Sequence, residues 1–186
     1  MSERENILEL KNVVYSYGGE VKAVRDVSYE VRQGEILGIV GESGCGKSVT
    51  AQCILRLNPE PPGFFEGGEI LYKGQDVLKM SKKEIRKIRG REIGFVFQDP
   101  MTSLNPTMRV GAQIEEVFLG RTDVSKKEVK ERAMDIMRLV GISDVEKRYK
   151  QYPHELSGGM KQRVMIAIAL VSRPSVIICD EPTTSL

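Results

Sequence analysis

The sequence predicts an α/β fold: a mainly parallel core sheet, an N-terminal antiparallel β subdomain and an inserted helical subdomain. The apolar run 35–40 leads into a glycine loop and then a helical pattern, and a second apolar run, 176–179, ends in two acidic residues. Runs of this kind are typical of buried parallel strands. Between these runs, strand patterns give way to helical ones. We therefore expect a core of 1–98 and 156–186, with 99–155 as the helical subdomain.

Alternation and turn signals predict the antiparallel part. Gly18-Gly19 and Lys73-Gly74 are turn signals beside segments that alternate between apolar and polar side chains. The predicted antiparallel strands lie at 7–15, 27–32 and 69–72.

Capping signals predict where helices begin and end. Ser81 with Glu84, and Ser125 with Glu128, have the spacing of a capping box, in which each residue satisfies a backbone N–H at the start of a helix. Prolines and glycines predict the helix ends. The predicted helices lie at 47–57, 81–89, 109–119, 126–140 and 159–171, and the predicted buried strands at 35–40, 93–97 and 176–179.

Composition argues against several classes of protein. Of the 186 residues, 28 are basic and 26 are acidic, and the net charge of +2 gives no indication of nucleic-acid binding. The longest apolar stretch, 164–171, is too short to span a bilayer. The charged N-terminus lacks the apolar region of a secretory signal, so we expect a cytoplasmic protein. The three cysteines have no CxxC spacing and the single histidine is His154, so a disulfide or a metal cluster is not expected.

The segment 41–48, Gly-Glu-Ser-Gly-Cys-Gly-Lys-Ser, matches a P-loop. Its glycines allow successive N–H groups to face phosphates, and the helix that follows adds the positive end of its dipole. Lys47 is expected to reach the β- and γ-phosphates, and Ser48 to coordinate Mg²⁺. The alternative is a glycine-rich turn that binds nothing. The predicted nucleotide contacts of the loop are Gly41, Ser43, Gly44, Cys45, Gly46, Lys47, Ser48 and Val49.

Two carboxylates follow the last apolar run. Asp180 is predicted to be a partner of Mg²⁺, and Glu181 to orient or deprotonate the attacking water, because phosphoryl transfer needs mainly positioning and charge neutralisation. Without the P-loop, two solvated loop carboxylates would be the simpler interpretation.

A second helix N-terminus able to bind anions is predicted at Ser157-Gly158-Gly159. The alternative is that Ser157 only caps the helix. The order of these segments favours a functional role, because this one follows a P-loop and precedes the strand that ends in Asp180 and Glu181.

Together these motifs resemble the nucleotide-binding subunits of ABC transporters, from about residue 7 to 186. The phosphate loop resembles Walker A, 177–181 resembles Walker B with the catalytic glutamate, and 156–159 resembles the ABC signature, with Met160 where many members have glutamine. By the same resemblance Gln98 is the Q-loop glutamine that contacts Mg²⁺ and water. Tyr17 stands where an aromatic stacks on adenine; Tyr15 competes for that role, and a strand-end tyrosine without a ligand is a further alternative.

Longer strings, at 19–24, 41–50, 97–106 and 152–156, are similar to the oligopeptide and dipeptide importer ATPases, a branch that includes nickel importers. The resemblance implies ATP and Mg²⁺ as cofactors, and a head-to-tail pair of ATPase subunits on the cytoplasmic face of the membrane. Each ATP would lie between Walker A of one chain and Ser157-Gly158-Gly159 of the other. Further implied partners are transmembrane permease subunits and, indirectly, an extracytoplasmic solute-binding protein.

A soluble ABC ATPase of DNA repair or chromosome organisation is the rival class. Those proteins insert long coiled coils between the Q-loop and the signature, whereas 99–155 is compact. A regulatory module without hydrolysis should lack Glu181. The sequence ends before the family's D-loop aspartate and switch histidine, and His154 lies on the wrong side of Walker B to be that histidine. We therefore expect a C-terminally truncated chain that hydrolyses ATP weakly or not at all.

Overall fold

The computed structural model describes residues 5–19, 21–119 and 124–182. The chain forms two compact units, Met1–Arg86 and Lys87–Leu186. The fold is mixed α/β, with an antiparallel sheet in the first unit and a parallel strand pair with helices in the second, as predicted. The elements that begin in the first unit are β1 (Asn6–Tyr17), β2 (Val21–Arg32), α1 (Lys47–Ile54), β3 (Gly63–Tyr72), β4 (Gln75–Asp76) and α2 (Lys82–Ile88), with a 3₁₀ turn at Val77–Lys79.

The sheet of the first unit has the order β2-β1-β3-β4, and its paired strands run antiparallel. Among the buried side chains of β1, Leu8 and Leu10 alternate before Asn12, whereas Val13 and Tyr15 alternate after it. The register with β2 shifts between Leu10 and Val13, and Asn12 has a left-handed backbone with φ 49°. A bulge of this kind changes which alternate residues face the core.

The described residues of the second unit form a parallel strand pair and five helices. Its elements are β5 (Ile93–Val96), α3 (Pro100–Ser103), α4 (Val110–Glu116), α5 (Lys126–Leu139), α6 (Val145–Arg148), α7 (Gly158–Leu170) and β6 (Val176–Cys179), with a 3₁₀ turn at Pro153–Glu155. Ile93 pairs with Val176 and Val96 with Cys179. One apolar cluster joins Ile114 of α4 and Met137 of α5 to Val164 of α7. Helices of the predicted insertion therefore share a core with the helix that follows the signature.

The predicted buried strand at 35–40 is wrong. The segment has no regular secondary structure, and Ile36 and Val40 are 98% and 94% exposed. An apolar run becomes a buried strand only where neighbouring strands take up its hydrogen bonds and other elements cover its faces. In the described part of the chain, β6 pairs with β5 alone, and Ile177 is 45% exposed. The expectation that β6 is a central strand is therefore also wrong.

Local signals predicted most other elements, with errors at their ends. The box at Ser81 forms as predicted, since Ser81 N–H donates to Glu84 Oε2 at 2.8 Å and Glu84 N–H donates to Ser81 Oγ at 3.3 Å. At Ser125 the N-cap bond forms, with Glu128 N–H donating to Ser125 Oγ at 3.2 Å. α1 ends three residues before the predicted 57, because Arg56 adopts a left-handed backbone with φ 50°. The four-residue helices α3 and α6 were not predicted, because one helical turn has too few residues for a period. No helix in the described ranges is long and apolar enough to cross a membrane.

Candidate functional site

The glycine loop leads into α1 as the P-loop prediction requires. Gly44 and Gly46 have positive φ angles, of 79° and 96°, and Gly46 is the N-cap of α1. The ammonium of Lys47 turns back over the loop, where Nζ donates to the carbonyl oxygens of Gly41 and Glu42, both at 2.8 Å. The loop therefore holds a positive charge at the N-terminal end of a helix, where the helix dipole also favours an anion.

Gly46 fixes the loop against β2. A Cβ at this position would lie 2.3 Å from the carbonyl oxygen of Ala23, so no side chain fits there. Thr50 Oγ1 donates to the Gly46 carbonyl at 2.8 Å and ties the first turn of α1 to the same residue. Because glycine has no side chain, the N-cap supplies no acceptor to the first N–H groups of α1.

Tyr17 is linked to the first turn of α1 through Asn58. Its hydroxyl donates to Asn58 Oδ1 at 3.4 Å, and Asn58 Nδ2 donates to the Val49 carbonyl at 3.1 Å. The Tyr17 ring is half-buried and meets the ring of Tyr15 edge to face, with centroids 5.3 Å apart. The sequence did not single out Asn58, because an asparagine before a proline indicates only a turn.

Tyr15 is a core residue. It is fully buried, and its hydroxyl donates to the Pro59 carbonyl at 3.3 Å. Burial raises the pKa of Tyr15 to about 12. A ring enclosed on all sides offers no face to a ligand, so the structure excludes Tyr15 as the stacking aromatic and leaves Tyr17 as the candidate.

In the second unit, the structure brings Gln98 and Glu181 together. Gln98 Nε2 donates to Glu181 Oε2 at 2.7 Å, although 83 positions separate the two residues. The parallel pairing of β5 and β6 explains the contact, because each residue follows the carboxyl end of its strand. The Asp180 N–H continues the ladder by donating to the Val96 carbonyl at 2.9 Å. Asp180 is 8% exposed, whereas Glu181 is exposed to solvent.

The signature segment forms the N-terminus of α7. Ser157 is the N-cap, and its Oγ accepts from the Met160 N–H at 3.4 Å. Gly158 and Gly159 are the first two residues of the helix. Within the described chain, a Cβ at Gly158 would meet no atom within 4 Å. Ser157 therefore caps α7. Packing against the described residues does not explain why residue 158 is glycine.

The candidate metal ligands suit Mg²⁺ by their chemistry. The Ser48 hydroxyl, the Gln98 amide oxygen and the Asp180 carboxylate are hard oxygen donors, which Mg²⁺ prefers. No group of three or more His, Cys, Asp or Glu side chains that could hold a metal is found among the described residues.

The cysteines differ in environment. Cys45 in the loop is exposed, whereas Cys53 on α1 is fully buried and accepts from Asn58 Nδ2 at 3.2 Å. Burial raises the pKa of the Cys53 thiol to about 12. Cys53 is therefore a packing residue, as small apolar cysteines in a core usually are.

The glycine loop before α1, in the first unit, and the two carboxylates after β6, in the second, are features of the P-loop class of α/β proteins. The family described as "ABC transporter" matches residues 24–184, and the chain belongs to this family. It is 55% identical over 183 residues to the oligopeptide transport ATP-binding protein OppD of Bacillus subtilis, covering 97% of this chain and 51% of the relative. It is 49% identical to the dipeptide transport ATP-binding protein DppD of Lactococcus lactis, covering 98% and 53%.

The chain thus spans about half the length of the curated relatives it matches. Among solved structures, it is similar to the dimeric, post-hydrolysis ATP-binding cassette MJ0796 bound to ADP and Pi. The TM-score is 0.84 and the identity is 32%, covering 96% of this chain and 75% of the other. The predicted family is therefore confirmed.

Proposed function

We propose that the protein is the ATP-binding and ATP-hydrolysing subunit of an ABC importer that energises peptide uptake. The observation that carries this proposal is the loop at 41–48, which places the Lys47 ammonium over a glycine-capped helix N-terminus. The names of the relatives, which specify oligopeptide and dipeptide transport, favour peptide over nickel and over a DNA-repair role.

The loop residues bind the triphosphate. Lys47 exchanges its carbonyl partners, Gly41 and Glu42, for the β- and γ-phosphates, because a phosphate oxygen is a stronger acceptor for an ammonium than a neutral carbonyl. Tyr17, held through Asn58 to α1, stacks on adenine. Ser48, Gln98 and Asp180 would hold Mg²⁺, which neutralises phosphate charge when bound. The loop residues that contact the nucleotide through backbone or side chain are Gly41, Ser43, Gly44, Cys45, Gly46, Lys47, Ser48 and Val49.

Glu181 accepts the proton from the attacking water, and Gln98 orients the Glu181 carboxylate and the water. The 2.7 Å hydrogen bond between them supports this pairing. An exposed carboxylate beside an amide can reach a water and accept its proton, whereas Asp180 is buried and is assigned to the metal.

A second ATPase subunit completes the site. In this proposal Ser157-Gly158-Gly159 faces the ATP of the partner chain, head to tail. The open space around Gly158 supports a close approach from outside the chain, since the described residues do not fill it. The dimeric cassette among the similar structures supports the same arrangement. The segments 1–98 and 156–186 form the proposed nucleotide-binding core, and 99–155 the helical subdomain.

The membrane subunits dock at 99–107, on the helical side of Gln98. Asp99 caps the short helix α3 by accepting from the Met101 N–H at 2.7 Å, and Met101 is 62% exposed. The protein is thereby held at the cytoplasmic face of the membrane, and a solute-binding protein delivers the peptide to the permease. Charge reversal at Asp99 together with a bulky residue at Ser103 should stop transport in the assembled transporter while ATP binding by the subunit persists. Transport at the wild-type rate would place the docking surface elsewhere.

The catalytic assignment is tested by Glu181→Gln in the whole gene product. The amide cannot accept a proton, so this variant should bind ATP with unchanged affinity, hydrolyse it at least about 100-fold more slowly, and accumulate as an ATP-bound dimer. Glu131→Gln is the matched control, because Glu131 is an exposed carboxylate on α5 whose ion pair with Lys127 is 4.0 Å long. Wild-type turnover by Glu181→Gln would rule out this residue as the base.

A further inference from the structure

Gln162 is a buried amide outside the predicted site. It lies on α7, five positions after the N-cap Ser157, and its side chain is fully buried. Its Nε2 donates to the carbonyl of Pro182 at 2.6 Å, whereas Oε1 has no hydrogen-bond partner in the described part of the chain. Because burying an amide is unfavourable unless hydrogen bonds compensate, the bond to Pro182 has to offset the burial of this side chain.

The accepting carbonyl follows a strained residue. Glu181 has φ 44°, in the left-handed region that residues other than glycine rarely adopt. The next residue is proline, which also biases its predecessor towards extended backbone. Two hydrogen bonds hold this conformation. The Asp180 N–H is bound to Val96 on one side, and the Pro182 carbonyl is bound to Gln162 on the other.

The orientation of the Glu181 carboxylate depends on that backbone conformation. Its Oε2 accepts from Gln98 Nε2 at 2.7 Å, and a return of φ to the ordinary negative range would redirect the side chain. We propose that Gln162 is a positioning residue for ATP hydrolysis, which holds Glu181 against Gln98 through the Pro182 carbonyl. The inference rests on the proposed function, in which Glu181 accepts the proton from water. In this inference α7 has two roles. Its N-terminus at Ser157-Gly158-Gly159 faces the partner's ATP, and its residue Gln162 positions Glu181.

The test is Gln162→Leu in the whole gene product. Leucine is apolar and one bond shorter than glutamine, and it removes the donor together with the unpartnered Oε1. The kcat should fall about ten-fold, because that factor corresponds to the free energy of one hydrogen bond. The KM for ATP and the binding of a fluorescent ATP analogue should not change, because 41–48 is untouched.

The matched control is Gln113→Leu. Gln113 is also a buried amide of the second unit, 6% exposed, and its Nε2 donates to the carbonyls of Asn105 and Met108 at 2.9 Å. This variant should lower the melting temperature without changing kcat per folded molecule. A merely structural role for Gln162 would instead make the two variants alike, with kcat per folded molecule unchanged in both.

A double-mutant cycle with Gln98→Ala separates the remaining possibilities. If Gln162 acts by holding Glu181 against Gln98, the fold-decrease in kcat of the double variant should be much smaller than the product of the two single fold-decreases. Independent, multiplying losses would overturn the inference. Equal kcat for Gln162→Leu and wild type would also overturn it and leave the proposed function standing, whereas absence of hydrolysis by the wild type would overturn both.

Discussion

The two helix N-termini predicted to bind anions are built differently. α1 begins after Gly46, whose backbone is left-handed and which has no side chain to offer as a cap. α7 begins after Ser157, whose backbone is extended and whose hydroxyl accepts from the Met160 N–H. Both first turns lack acidic residues. α7 therefore satisfies one of its own N–H groups with a side chain, whereas α1 relies on other acceptors.

The cations near the two N-termini also differ. Lys47 at the start of α1 binds carbonyls of its own loop, so its charge stays where an anion would bind. Lys161 in the first turns of α7 instead contacts Met101 Sδ at 3.3 Å. This difference supports the proposal that α1 binds a highly charged ligand by itself. The N-terminus of α7 can only contribute a few donors to a ligand that is held elsewhere, as the proposed partner-chain ATP would be.

The largest expected effect on stability is at the cap of α1. Gly46→Ala should lower the free energy of unfolding by about 3 kcal/mol, because strain at positive φ adds to a clash with the Ala23 carbonyl. Gly44→Ala is the control, since φ there is 79° but no atom lies within 4 Å of its Cβ position. It should lose only about 1 kcal/mol from strain. Denaturant unfolding measures both values, and equal losses would show that contact with β2 does not fix the loop.

A smaller effect is expected at the cap of α7. Ser157→Ala should cost about 1 kcal/mol of stability, as the loss of a serine cap usually does. Ser125→Ala removes the corresponding cap of α5 and should cost about the same. Only Ser157→Ala should weaken ATP-dependent dimerisation, measured by size-exclusion chromatography with light scattering. Equal dimerisation of both variants would reduce the role of Ser157 to capping.

Elements defined by short-range signals could be predicted from the sequence. The caps at Ser81 and Ser125 depend on contacts three residues apart, and both serines accept from the N–H of the glutamate three residues on. The strand at 35–40 could not be predicted in the same way, because burial of an apolar run depends on strands and helices from elsewhere in the chain. Its residues satisfy the pattern of a buried strand, yet Ile36 is 98% exposed.

The candidate site was predicted where sequence order implies geometry, and missed where it does not. Gln98 and Glu181 each follow an apolar run, and parallel pairing of those runs brings them together. The choice between Tyr15 and Tyr17 depends on the bulge at Asn12, which has no reliable sequence signal. The contact of Gln162 with Pro182 joins a helix interior to a strand end, and no periodic pattern indicates it.

The central claim is that the loop at 41–48 binds a nucleotide triphosphate through Lys47. Titration of the purified protein and of Lys47→Ala with a fluorescent ATP analogue in the presence of Mg²⁺ tests it most directly. Lys161→Ala removes the same charge near the other helix N-terminus and serves as the control. We predict that Lys47→Ala binds about 100-fold more weakly, since charge-assisted contacts to phosphate are lost, while Lys161→Ala binds like the wild type. Unchanged affinity in Lys47→Ala, with an intact circular dichroism spectrum, would contradict the account.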